Sequence, residues 1–158
     1  NSKDLCFWYQ QLVGESLGKE KRGITPIISE CPKDHHSLMQ LYLDGPRDKF
    51  FTFLSSQNKN SKNKVSNAIV KKSIKFLKNK NLDSIIEAQC QATKNIFDLE
   101  RIPYRSLIFK TRDEREFSNI ISFFVLETIL LGRLMQINPF DQPDVEKIKV
   151  ETKKILLR

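Results

Sequence analysis

At 158 residues the chain has the length of one domain, enough to bury a sizeable core, and its 39% hydrophobic share excludes a disordered polymer. No apolar run comes near the roughly 20 residues that a bilayer crossing needs, so no membrane partner is expected. The net charge of +8 is local: between Gln57 and Leu82 stand Lys59, Lys62, Lys64, Lys71, Lys72, Lys75, Lys78 and Lys80 with no acid among them, and without these eight the basic and acidic counts are equal. The heart of that patch, "QNKNSKNK", offers no aromatic to stack on a base, so it reads as a solvated surface and no nucleic-acid partner is expected. Cys6, Cys31 and Cys90 are far apart, odd in number and without metal-ligand spacing, which points to reduced thiols in a cytoplasmic protein.

The opening "NSKDLCFWYQQL" enters a helical pattern at once, with neither an initiator Met nor a signal-peptide layout, as in a chain cut from something longer. Residues 4–17 place Leu5, Trp8, Leu12 and Leu17 close to helical spacing, and Gly14 and Gly18 weaken the end. "ITPIISE" (24–30) reads as a short edge strand because Pro26 lacks a ladder donor. "DHHSLMQLYLDGP" (34–46) predicts a helix, and "KFFTFLSS" (49–56) an aromatic-rich strand. Helices follow at 67–80 and 82–102, the second marked by Ile85, Ile86, Cys90, Ile96 and Leu99 and closed by Pro103. "YRSLIFK" (104–110) is a candidate buried strand, from its contiguous Leu107, Ile108 and Phe109. Residues 113–134 begin acidic and become almost wholly apolar, as in a helix held between a sheet and another surface; a last helix runs from about 144 to 157. Strands separated by helices imply an α/β fold with a mostly parallel sheet, and three strands are fewer than a doubly wound sheet uses, so further strands are expected upstream.

Three polar stretches could carry chemistry. Gln11 and Glu15 are four residues apart and share one helix face. Asp34, His35 and His36 stand together at a helix start; adjacent imidazoles point apart and chelate one metal poorly, so no metal site is expected, and Asp34 as a cap with one inward and one exposed histidine accounts for them. In "NPFDQPDVEKIK" (138–149), Pro139 and Pro143 stiffen a polar loop, Asp141 or Asn138 is placed to cap the helix that follows, and Lys149 lies about two turns inside it.

Taken in order, "QQLVGESLGK", "DHHSLMQLYLDGP" and "GRLMQINPFDQPDVEKIK" resemble the C-terminal half of the phosphoglucose isomerase (glucose-6-phosphate isomerase) family, most closely its shorter bacterial members. The resemblance runs over essentially the whole chain. It implies a three-layer α/β/α sugar isomerase (SIS) domain of flavodoxin type, incomplete at its N-terminal side, covering residues 1–158. It also implies interconversion of glucose 6-phosphate and fructose 6-phosphate through a cis-enediol, with no cofactor. Glu15 matches the family's base, and Gln11 a residue lining the same pocket. His36 matches the ring-opening histidine, with Gln40 four positions on, and His35 takes no role. Gln142 matches the substrate-binding glutamine, and Lys149 the lysine near the ring oxygen. Asp144 stands where the signature has Gly. The family works as a homodimer, with the ring-opening histidine supplied across the interface, and its phosphate-gripping loop belongs to an N-terminal SIS half that these residues lack; the chain alone is therefore expected to turn over little or not at all. The rivals make other demands. A non-catalytic sugar-phosphate-binding SIS module needs the phosphate loop and no base at Glu15, and a nucleic-acid binder would work through residues 57–82.

Overall fold

A computed structural model describes residues 2–57, 61–66, 71–111 and 113–157. The chain divides into two compact units, one made of Asn1–Ile28 and Phe117–Arg158, the other of Ser29–Glu116.

In the first unit, helix α1 (Ser2–Leu17) runs through Gly14 and stops at Leu17. Its Leu5, Val13 and Leu17 are fully buried, a stripe at helical spacing. Helix α4 (Glu114–Leu134), which enters this unit at Phe117, buries Phe124, Thr128 and Gly132, each four residues after the last. The two stripes meet: the Tyr9 and Phe124 rings are 4.3 Å apart. Val13 and Leu17 form a core with Ile137, against which Tyr9, Leu131 and Met135 pack. Helix α5 (Pro143–Leu156) closes the chain, with Gln142 as its N-cap and Pro143 in its first turn, where a missing N–H costs nothing.

Outside its buried stripe, α4 is partly open. Leu126 and Leu130 are 60% and 63% exposed, and Phe117, Phe123 and Leu134 are exposed too. Contrary to the expectation that no segment approaches spanning length, α4 is long and apolar enough to cross a bilayer by length and composition alone, with an 18-residue window averaging 1.5 in hydropathy. Glu127 near its middle accepts a hydrogen bond from the Tyr9 hydroxyl at 3.4 Å.

The second unit holds the sheet. Strands β1 (Phe51–Ser56) and β2 (Tyr104–Phe109) pair in parallel, Phe51 opposite Tyr104 through Ser56 opposite Phe109. Parallel partners need a long crossover, and helix α3 (Leu82–Leu99) lies within it. Asn81 caps α3 by accepting from the Ser84 N–H at 2.7 Å. The core gathers Tyr42, Phe97 and Ile102 with Phe51, Phe53 and Tyr104 around them, and the Phe51 and Phe97 rings meet edge to face at 4.8 Å.

Several expectations need correction. No strand forms at 24–30: a strand requires a neighbour, the described sheet has two strands only, and the Pro26 carbonyl instead accepts from Gln10 Nε2 at 2.7 Å. The helix expected over 34–46 breaks into a 3-10 turn (Lys33–His35) and the short α2 (Met39–Asp44). Asp34 explains the break, because its carboxylate takes the Glu30 N–H at 2.6 Å and the Ser37 hydroxyl at 2.8 Å, a local alternative to helix bonding. Of the helix expected over 67–80, residues 67–70 lie outside the described residues, as does Lys59 of the lysine patch. Lys72–Leu77 is a kinked 3-10 segment. Lys71, Lys72, Lys75 and Lys78 would stack like charges three and four apart on an α-helix, which disfavours one. Within α3 the buried positions are Thr93 and Phe97, whereas Ile86, Ile96 and Leu99 are exposed. Strand β2 is not buried throughout, since Ile108 is exposed.

Candidate active site

The residues of interest in the first unit converge beside the N-terminus of α5. Glu15, on the last turn of α1, accepts one amide on each carboxylate oxygen: Gln11 Nε2 donates to Oε1 at 2.9 Å, and Gln142 Nε2 to Oε2 at 3.0 Å. The first bond follows from helical spacing. The second crosses 127 residues of sequence and exists because the 138–142 loop folds back onto α1. Glu15 and Gln142 border a hollow of about 70 Å³, completed by Gly14, Gly18, Lys19, Pro143, Asp144 and Val145. Gly14 has nothing within 4 Å of where a Cβ would stand.

Lys149 does not border that hollow. It lies one turn beyond Val145 on the same stripe of α5, its side chain 65% exposed and paired with Glu146. Asp144, in the first turn of α5, pairs with Lys147. Neither Asp141 nor Asn138 caps α5, contrary to expectation. The Asp141 carboxylate accepts from Lys19 at 2.7 Å, and the Asn138 side chain accepts from the Phe140 N–H at 3.1 Å. The hydrogen bond from Lys19 holds the Asp141 carboxyl below the usual carboxylate range.

The histidines lie in the second unit. His36 is exposed, and so is Gln40, whose amide donates to Asp44 at 3.3 Å. His35 turns inward. The Thr93 hydroxyl donates to the Gln89 carbonyl at 2.9 Å, and its oxygen lies 3.0 Å from His35 Nε2. The expected split into one inward and one exposed histidine is what the structure has, but Asp34 is not the expected cap: Pro32 stands at the N-cap of the 3-10 turn and Leu38 at that of α2, neither with a side-chain capping bond. Cys31 Sγ lies 3.3 Å from the same nitrogen, and burial, followed by the neighbouring Cys90 and Asp34, pushes its thiol up. No group of three or more metal-ligating side chains forms among the described residues.

Sequence reasoning passed over Lys19. It was visible inside "GESLGK", but nothing in that string says that a lysine two residues past a helix end turns inward.

The fold is α/β with a parallel sheet, the class that the SIS resemblance implies. In structure the chain is similar to a hypothetical protein of Thermus thermophilus, with a TM-score of 0.86 and 28% identity, over 96% of this chain and 38% of that one. In sequence it is similar to the glucose-6-phosphate isomerase of Methanocaldococcus jannaschii, 36% identical over 143 residues, which is 90% of this chain and 35% of the relative. The Campylobacter jejuni glucose-6-phosphate isomerase is 36% identical over 154 residues, 94% of this chain and 38% of the relative. No family model matches. The chain is thus homologous to glucose-6-phosphate isomerases along nearly its whole length and spans somewhat over a third of theirs.

Proposed function

We propose that the chain is the C-terminal SIS part of a longer, dimeric, cytoplasmic enzyme that interconverts glucose 6-phosphate and fructose 6-phosphate. The observation that carries this reading is the meeting of Gln142 with Gln11 and Glu15, residues that the family resemblance assigns to one pocket although Gln142 stands 127 residues from Glu15 in the sequence. Glu15 acts as the base. It takes the proton from C2 of the open-chain aldose and returns it to C1 of the enediol, while O1 gains and O2 gives up a proton, so the net reaction releases none. The two amides hold both carboxylate oxygens, and each oxygen keeps a lone pair for the substrate C–H. His36, reaching in from the neighbouring protomer, exchanges the ring-opening proton, for which an imidazole is suited near neutrality. Lys149 supports the charge that develops at the ring oxygen. A base for this step works best when partly buried, and Glu15 is exposed among these residues, so its cover and the phosphate grip are assigned to the remaining part of the enzyme.

The test is Glu15→Gln in the full-length protein. Solvent deuterium incorporation at C1 and C2 is expected to vanish while glucose 6-phosphate still binds, measured by calorimetry. Deuterium exchange at the wild-type rate in that variant removes Glu15 as the base.

A further inference from the structure

We propose that Lys19 is a positioning residue for the isomerisation assigned above: it fastens the 138–141 loop so that Gln142 meets Glu15. The inference rests on that reading for its chemistry and on separate geometry for its structure. Lys19 is only 8% exposed, which is unusual for an ammonium group and sustainable only with partners. It has two, the Asp141 carboxylate at 2.7 Å and the Asn138 carbonyl, both in the loop that delivers Gln142. These bonds commit two of its three donors to the loop, so Lys19 holds rather than reacts.

The rest of the loop is fastened around the same point. Arg22 Nη1 donates to the Met135 carbonyl at 2.9 Å, and the Pro139 ring packs on Gly132, where a Cβ would stand 3.1 Å away. Gly18 lets the chain leave α1 closely enough to turn Lys19 inward: a Cβ there would stand 2.7 Å from the Gly14 carbonyl oxygen. Of these ties, the one from Lys19 ends next to Gln142. Without it, Asp141 is exposed enough to be satisfied by water, and the loop loses its nearest anchor.

The experiment compares Lys19→Met, Lys19→Arg, Asp141→Asn and the double variant Lys19→Met/Asp141→Asn in the full-length protein. Lys19→Met is expected to lower kcat about 10- to 100-fold, the scale set by a misplaced active-site group, with KM changed by less than about threefold. Lys19→Arg should recover part of the loss, and the double variant should be no worse than Lys19→Met, because the Asp141 change acts on a contact that Lys19→Met has already removed. Wild-type kcat per folded molecule in Lys19→Met, with only a lower Tm, would reduce Lys19 to a fold-holding role and overturn the inference. A second readout does not depend on turnover: the side-chain amide of Gln142, followed by nitrogen-15 NMR, should shift and exchange faster in Lys19→Met. An unmoved Gln142 signal overturns the inference whatever the activity. A moved signal in a protein whose wild type shows no isomerisation keeps the clamp and discards the proposed reaction.

Discussion

The Lys19–Asp141 pair has an unequal environment, the lysine side chain 9% exposed and the aspartate 54%. Because the lysine's hydrogen bond depresses the folded-state pKa of Asp141, the pair contributes stability above the unfolded carboxylate value of about 3.9, and that contribution is lost as pH falls through the lower folded value. Thermal unfolding of Asp141→Asn should therefore show a lower Tm than wild type at neutral pH, with the gap closing below about pH 4. A gap that stays constant down to pH 2 would mean that the carboxylate charge is not what matters. At this scale the contact of Gln11 with Glu15 could be read directly, since two polar residues four apart on a helix must meet. The contact of Gln142 with Glu15 could not, because it depends on a buried lysine that looks like any other in a lysine-rich chain.

Elements were legible where one strong local rule acted alone. Helix α3 begins at Leu82 because Asn81 supplies its cap, and Asn81→Ala should cost about 1 kcal/mol in chemical denaturation. A variant within experimental error of wild type would show that tertiary packing alone sets that helix end. α4 illustrates the opposite case. Gly132 looks like a weak point in an apolar run, yet it is where Pro139 seats. Gly132→Val should drive the loop away, lowering Tm and losing the Gln142 amide signature together; a folded variant with that signature intact would show that the loop repacks freely. The segment at 24–30 failed as a strand because alternation and β-branched residues describe a surface fit for pairing, and pairing needs a partner.

At the scale of the whole molecule, apolar surface remains open on several elements. α4 exposes Leu126 and Leu130, β2 exposes Ile108, and α5 exposes Ile148 and Ile155. A parallel sheet ordinarily has both faces covered. The matched stretch is only 35% and 38% of the two relatives' lengths, which supports the assignment of that cover to the rest of a longer enzyme. Residues 1–158 alone, in a coupled assay, should then show no glucose 6-phosphate isomerisation above background, whereas the full-length protein should. Turnover by the isolated stretch at a rate comparable to the full-length protein would place the phosphate grip within these residues.

The alternation of strands and helices and three motifs in order were enough to establish the α/β class, the parallel sheet and the kinship with glucose-6-phosphate isomerases, because each is carried by residues adjacent in the chain or by a simple period. Tertiary structure alone decided which polar groups share a hollow. It drew Gln142 onto Glu15, sent Asp141 to Lys19 instead of to a helix end, and left Lys149 on the outer turn of α5. Those choices depend on burying a charge with its partners across more than a hundred residues, and no local pattern encodes that distance.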